Sequence, residues 1–377
     1  MIPVNEPLLA GKELEYVTDC IKTGWISSAG KYINDFESGW SAYCGKKYGI
    51  AVSNGTTALD VAVHCLGLKP GDEVIMPTFT IISCALAVVN SKGTPVLVDS
   101  DPKLWTMDVD QVAEKITHKT KAIMPVHIYG HPVDMDPILD LAEDHHLAII
   151  EDAAEAHGAE YHSHHNNSDS WKRCGSFGTM SCFSFYANKL VTTGEGGMVI
   201  TDDEVLEKKA RAYRDLCFQP PRRFYHEQLG NQYRLTNMQA ALGVAQMARI
   251  DEIIAKKRWM AQEYTRRLQK VQGIQLPAEE PWAKSVYWMY ALVLSDSCGM
   301  DNTECAKRLY EKGIETRPFF IGMHEQPAFH KIGLFTNEKY PVAERIARQG
   351  FYLPSGLTLT QEQINTVTRA VTEVLGA

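Results

Sequence analysis

Between residues 48 and 200 short apolar, β-branched runs alternate with stretches of helical period, and this alternation limits the possible folds more than any other feature of the chain. Residues 48–52, 73–76, 95–98, 121–126 and 147–150 read as strands. Residues 58–66, the stretch from Pro77-Thr78-Phe79-Thr80 to about Asn90, 108–116 and 134–145 read as the helices between them. Strands joined by helices of this length lie parallel, because a crossover has to return each strand to the same end of the sheet. The predicted class is therefore α/β, a mostly parallel sheet flanked by helices, with ligands expected at the carboxyl ends of the strands.

The chain has 377 residues, 45% of them hydrophobic, which suffices for one large domain and a smaller one. Met238, Ala241, Leu242, Ala245, Ile250, Ile253 and Ile254 continue one helical stripe to about Leu268, with a bend. This reads as a long bridging helix, and it divides the chain into a large domain, 1–245, and a smaller C-terminal α+β domain, 246–377. In the latter, 288–294 is strand-like, 303–312 helix-like, Arg317-Pro318-Phe319-Phe320 a loop, and 361–375 a final helix. Near the start, 13–23 reads as a surface helix with Leu14, Val17 and Ile21 on one face, followed by an exposed loop, 25–33, that carries Trp25, Ser27, Ser28 and Tyr32.

A net charge of −8 argues against general nucleic-acid binding. The start lacks the basic-then-apolar order of a signal peptide, and no apolar run is long enough to span a bilayer, so neither membrane nor export is expected and the location is expected to be cytoplasmic. Nine cysteines without a CxxC pair read as buried thiols in a reducing compartment.

Candidate chemistry gathers where expected strands end. Residues 181–200, SCFSFYANKLVTTGEGGMVI, read as strand, turn-rich loop and strand, with Lys189 on the loop. A lysine held rigidly and desolvated there has its pKa lowered and can form a Schiff base with an aldehyde. Ser53-Asn54-Gly55-Thr56-Thr57 joins a strand to a helix, and unpaired N–H groups and the helix dipole make such a turn an anion site. Asp152 follows a strand, where it can face a ligand or cap the next helix. With Ser184 and the aromatic Phe79, these parts suit pyridoxal 5′-phosphate: turn and hydroxyl for phosphate, aromatic for the ring, carboxylate for the ring nitrogen, lysine for the aldehyde. The glycine run after Lys189 fits neither a P-loop nor a dinucleotide fingerprint. His162, His164 and His165 are close together, but no ligand follows at helical spacing, so that segment, 161–174, is expected to be a solvated loop without metal.

The segments WISSAGKYI, SNGTTALDVA, GDEVIMPTFT, VHIYGHPVDMD, IIEDAAEAHGA, SFYANKLVTTGEGGMV, YRLTNMQAALG and ETRPFF resemble, in order and spacing, the nucleotide-sugar aminotransferases of the fold-type I pyridoxal-phosphate class. The resemblance spans the whole chain and is strongest to the perosamine-forming branch of that family. It implies that Lys189 is the Schiff-base lysine and Asp152 the partner of the pyridinium nitrogen, with Glu155 beside the ring hydroxyl. It implies Gly55, Thr56 and Ser184 as phosphate ligands, Phe79 as the stacking residue, and Trp25, Ser27, Asn188 and His324 near the sugar. In the family an asparagine reaches the phosphate from the neighbouring subunit. Gln232 stands in its place in Gly230-Asn231-Gln232-Tyr233-Arg234, which implies a homodimer with shared active sites. Residues 214–223 and the 161–174 loop depart from the family pattern. The implied reaction moves an amino group from glutamate to a nucleotide-linked 4-keto-6-deoxyhexose, GDP-4-keto-6-deoxy-mannose first and a UDP- or dTDP-linked ketosugar second, as in O-antigen sugar synthesis. A sugar dehydratase of the same scaffold would carry histidine in place of Lys189. A non-catalytic cofactor-binding protein is the other rival.

Overall fold

The computed structural model describes residues 1–218 and 221–376. Helices α1 (Glu13–Thr23) and α2 (Lys31–Tyr43) precede the alternating series β1 (Tyr48–Val52), α3 (Gly55–Leu66), β2 (Glu73–Pro77), α4 (Ser83–Asn90), β3 (Thr94–Val98), α5 (Val109–Lys115), β4 (Thr120–Ile123), α6 (Met135–Asp144) and β5 (Ala148–Asp152). A hairpin of β6 (Glu160–Ser163) and β7 (Ser170–Arg173) leads to β8 (Met180–Ser184), β9 (Gly197–Thr201), α7 (Glu204–Arg214), α8 (Asn237–Met247) and α9 (Ile250–Leu268). The rest comprises β10 (Ile274–Gln275), β11 (Ala283–Lys284), β12 (Tyr290–Leu294), α10 (Asn302–Glu311), β13 (Arg317–Pro318), α11 (Pro327–His330), α12 (Pro341–Gln349), β14 (Gly350–Leu353) and α13 (Gln361–Leu375).

The main sheet has the order β1-β9-β8-β5-β4-β2-β3. The pairs β2–β3, β2–β4, β4–β5 and β5–β8 are parallel, as the alternation predicts, while β9 runs antiparallel to both β8 and β1. The reversal follows from the connection: β8 and β9 are joined by the short loop that carries Lys189, with no crossover helix to turn the chain around. Both strands are buried along their whole length, which fits a sheet covered on both faces. A separate apolar cluster that includes Tyr264, Leu292, Leu309, Phe351 and Val367 lies in the C-terminal part, around the four-stranded sheet β10-β12-β14-β13.

Several local expectations are corrected. The loop from Trp25 ends at Gly30, where α2 begins. Tyr32, Ile33, Phe36 and Trp40 are buried at helical spacing, a stripe masked in the sequence by Asn34, Asp35 and Ser38. The α1 face of Leu14 and Ile21 is exposed, because α1 packs on α8 through the side that buries Glu13 and Cys20. Residues 161–174 are not an irregular loop: β6 and β7 pair with each other, and β6 pairs with β11. The long stripe through 237–268 is two helices, broken at Ala248 and Arg249. All nine cysteines are free thiols, and all but Cys298 are buried.

Candidate active site

Gly55, Asp152 and Ser184 stand at the carboxyl ends of β1, β5 and β8, and their strands bring them to one cavity of about 450 Å³. At its polar end, Asn54 caps α3: its Oδ1 accepts from the N–H of Thr57 at 2.9 Å, and the Thr57 hydroxyl accepts from the N–H of Asn54 at 3.1 Å. The next two donors, the N–H groups of Gly55 and Thr56, have no acceptor among the described residues. Such orphan donors at a helix start attract an anion, and the helix dipole acts in the same direction. The Thr56 hydroxyl is 2.8 Å from that of Ser83, the first residue of α4, and Ser184 completes the wall. A Cβ on Gly55 would lie 2.7 Å from the Ser184 Cβ, so only glycine admits this close approach of α3 to the end of β8.

At the other end Asp152 is buried. Its Oδ1 accepts from the N–H of Ala154 at 3.0 Å and its Oδ2 from the Cys84 thiol at 3.2 Å, and burial raises its pKa. No helix follows Asp152 directly, so it caps none; one oxygen braces the following turn while the residue lines the cavity. The Lys189 Nζ lies 3.5 Å from Glu155 Oε1 and 3.6 Å from the centroid of the Trp288 ring. Burial lowers the lysine pKa, against the pull of Glu155 and Asp152. Burial likewise pushes the Glu155 carboxyl up to about 7, although Lys189 and the N–H of Tyr129, donating to Oε2 at 2.7 Å, favour its anion. Trp288 is held by a bond from its Nε1 to the Asn188 carbonyl at 2.8 Å.

The family described as DegT/DnrJ/EryC1/StrS aminotransferases matches residues 7–372. The chain belongs to this aminotransferase family. It is similar to GDP-perosamine synthase of Caulobacter vibrioides, 41% identical over 99% of this chain and 98% of that protein. It also resembles GDP-perosamine synthase of Escherichia coli O157:H7, 40% identical over 99% of this chain and 98% of that protein. An aminotransferase from Psychrobacter cryohalolentis has the same fold, with a TM-score of 0.90, 30% identity and 98% of each chain covered. Like its relatives, this DegT/DnrJ/EryC1/StrS aminotransferase is a pyridoxal-phosphate-dependent sugar aminotransferase. The cavity fits that cofactor: free N–H groups and hydroxyls stand at one end, a buried carboxylate and a desolvated amine at the other.

The remaining predicted residues divide. Thr56, Glu155 and Asn188 line the cavity, and the Asn188 Oδ1 is buried without a hydrogen-bond partner. Phe79 does not line it, which corrects its assignment as the stacking residue. Its ring is buried and packs on Tyr129, Phe319 and Phe320, with centroids 5.5–6.1 Å away, while Thr80 and Ile81 face the cavity from the same turn. His324 is also corrected. It is buried outside the cavity, with Nδ1 2.8 Å from the Thr78 hydroxyl and Nε2 3.3 Å from Glu344 Oε1, so both ring nitrogens are engaged. Trp25 and Ser27 are exposed and lie outside this cavity, their carbonyls accepting from Nδ2 and N–H of Asn237 at 2.7 and 2.6 Å. Gln232 is exposed as well, its backbone bridged to Asp215, and it does not line its own chain's cavity.

Ser83, Trp288, Phe320 and Tyr352 line the cavity and were not anticipated. Ser83 carries a signal that sequence reasoning could have used, a hydroxyl at the first helical position after a strand. The three aromatics come from the C-terminal part, more than a hundred residues beyond the strand ends, and no local pattern marks them.

Proposed function

We propose that this aminotransferase moves the amino group of glutamate to C4 of GDP-4-keto-6-deoxy-mannose, yielding GDP-perosamine. The observation that carries the substrate assignment is the end-to-end likeness, at 41% identity, to GDP-perosamine synthase. In this reading Gly55, Thr56 and Ser184 bind the cofactor phosphate through the orphan N–H groups and hydroxyls of the cradle. Asp152 pairs with the ring nitrogen, and Glu155 stands beside the ring hydroxyl. The bound cofactor supplies an aldehyde and an electron-accepting ring.

The rest is the work of this chain's side chains. Lys189 holds the aldehyde at rest and, once released, moves a proton between the two reacting carbons within each half of the reaction, a role that its lowered pKa favours. Trp288 shields the amine from water. Asn188, with its unpartnered Oδ1, accepts from a sugar hydroxyl. Trp25 and Ser27 contact the nucleotide sugar as well. The chain acts as a cytoplasmic homodimer in which Gln232 of the partner subunit reaches the phosphate, a role consistent with its exposure here. The domain boundary falls near residue 245, just before the break between α8 and α9.

The test is a panel of GDP-, UDP- and dTDP-linked ketosugars incubated with glutamate, the amine being read by mass spectrometry. Amination of the GDP-linked 4-keto sugar is expected. Amination only of a UDP- or dTDP-linked or a 3-keto sugar would replace the substrate, loss of water without amination would indicate a dehydratase, and no turnover with any acceptor would leave only binding. Borohydride treatment of the cofactor-loaded protein is expected to fix the cofactor mass on Lys189.

A further inference from the structure

We propose that His162, His164 and Asp169 form a binding site for a divalent transition metal of the zinc type on the β6–β7 hairpin. The aminotransferase site makes no use of this segment. The hairpin pairs His162 with Trp171 and Ser163 with Ser170. His164 follows the last residue of β6, and its ring lies beside that of His162, with centroids 4.6 Å apart. Asp169, just before β7, meets them from the opposite strand. The partner ligand that is missing at helical spacing is thus supplied across a hairpin.

The Nε2 of His162 lies 2.9 Å and the Nδ1 of His164 3.5 Å from the same Asp169 Oδ1. All three donor atoms lie within 4.8 Å of one another. Donors bound to tetrahedral Zn²⁺ at its usual distances are about 3.3 Å from each other. The two N–O separations straddle that value, so a metal needs only small side-chain adjustments. Two imidazoles and one carboxylate suit zinc, cobalt or nickel better than magnesium or calcium, which prefer oxygen.

The donors are braced from behind. The His162 ring stacks on Trp171, with centroids 4.8 Å apart and an interplanar angle of 12°, and the His162 N–H donates to the Trp282 carbonyl at 2.7 Å. The His164 N–H donates to Asp136 Oδ2 and the Ser163 hydroxyl to Asp136 Oδ1, each at 2.6 Å, which ties the hairpin to α6. Such supports orient ligands and reduce the entropy lost on binding. Asp169 and His164 remain exposed, so an ion can enter and water can complete its shell. On the α6 side, Asp140 and Glu143 each place an oxygen 3.3 Å from the His165 Nε2 and add negative charge. Lys284, over the Trp171 ring at 4.1 Å, is paired with Glu160.

A second convergence, His127, Glu151 and Cys174, does not compete. Glu151 accepts from His127, from the N–H groups of Gly175, Phe177 and Gly178 and from the Ser181 hydroxyl, which fill its roughly four lone-pair sites. That cluster is an internal anchor closed to solvent.

The test uses the cofactor-loaded enzyme, stripped of metals with a chelator and titrated with Co²⁺, read by its ligand-field absorption, and with Zn²⁺ in competition with a chromophoric chelator. One equivalent per chain is expected at micromolar metal. His164→Ala and Asp169→Asn are expected to weaken it about tenfold or more, and His118→Ala, at an exposed histidine elsewhere, to leave it unchanged. Zn²⁺ is also expected to raise the melting temperature of the wild type but not of the two ligand variants. Retained cofactor absorbance shows that each variant folds, and His162→Gln provides a further ligand change of similar size. No stoichiometric binding at micromolar metal, or equal binding in all the variants, overturns the site.

Discussion

The Nζ of Lys189 sits 3.5 Å from Oε1 of Glu155, and burial drives the pair toward neutrality from both sides, lowering the amine and raising the carboxyl to about 7. Glu155 is the strongest influence that holds the lysine pKa up, so Glu155→Gln is expected to lower it further. Competitive acetylation of the cofactor-free protein across pH, with Lys189 followed by mass spectrometry, measures this, and an unchanged or higher midpoint refutes it. The sign for stability follows from the carboxyl: its folded pKa, about 7, lies above the ordinary 4.5. Its favourable contribution is complete below 4.5 and is lost as pH rises through about 7, so the wild type loses stability relative to Glu155→Gln across that window, by on the order of 1–3 kcal/mol.

Gly55→Ala is expected to damage the cradle rather than the helix. Alanine is a good helix former, but its Cβ would lie 2.7 Å from the Ser184 Cβ, so either the start of α3 or the end of β8 must move. A loss of about 1–3 kcal/mol in stability and at least tenfold weaker cofactor binding should result. Thermal melts of the cofactor-free protein and titration with pyridoxal phosphate read the two effects separately. Wild-type affinity in the variant would mean that the phosphate does not rest between Gly55 and Ser184.

Lys257 in α9 is fully buried and donates to the carbonyls of Trp288, at 2.8 Å, and of Ser355. Burial lowers its pKa from 10.5 to about 7. The unfolded chain thus binds the proton over a range where the folded chain does not, and the stability of the wild type rises with pH between about 7 and 10.5. Lys257→Met has no such group and leaves two carbonyls without their donor, at a cost of about 1–3 kcal/mol. Urea melts at pH 7, 8 and 9 should show the gap between wild type and variant widening with pH. A constant gap would mean that the lysine stays charged when folded.

Shared active sites can be tested by exchange. Lys189→Ala is expected to abolish turnover, and Gln232→Glu to weaken cofactor retention by setting a carboxylate against the phosphate. A mixed dimer of the two has one site with both changes and one with neither. Mixing inactive Lys189→Ala with cofactor-poor Gln232→Glu under conditions that exchange subunits should restore activity at limiting cofactor. Confirmed exchange without recovery would remove Gln232 from the site.

Much of the fold was legible where its signals are local. The strand starts at Tyr48 and Glu73 and the helices Glu13–Thr23 and Gln361–Leu375 were placed by periodicity and flanking turns alone. The hairpin at 160–173 was not, because β6 and β7 are short and polar and are strands only through pairing, β7 with β6 and β6 also with β11. Helix α2 was overlooked because its buried stripe, Tyr32, Phe36 and Trp40, lies on a segment otherwise rich in polar residues.

By itself the sequence determined the α/β class, the family, whose motifs run along the whole chain, and the placement of Gly55, Asp152 and Ser184 at strand ends and of Lys189 on the loop between two strands, each of these placements depending on residues only a few positions away. Only the tertiary structure decided which neighbours serve the cavity. Phe79 and Ile81 share one turn, yet Phe79 enters the core formed by Tyr129, Phe319 and Phe320 and Ile81 faces the cavity. Trp288 reaches Lys189 because the segment before β12 is tied to loops that follow the main-sheet strands, the Val286 N–H and the Ser285 hydroxyl donating to the Gly130 carbonyl and the Trp288 Nε1 to that of Asn188, a residue a hundred positions away. Side-chain direction at a turn and contact between remote segments are set by packing against distant residues, and no stretch of sequence read alone contains both partners.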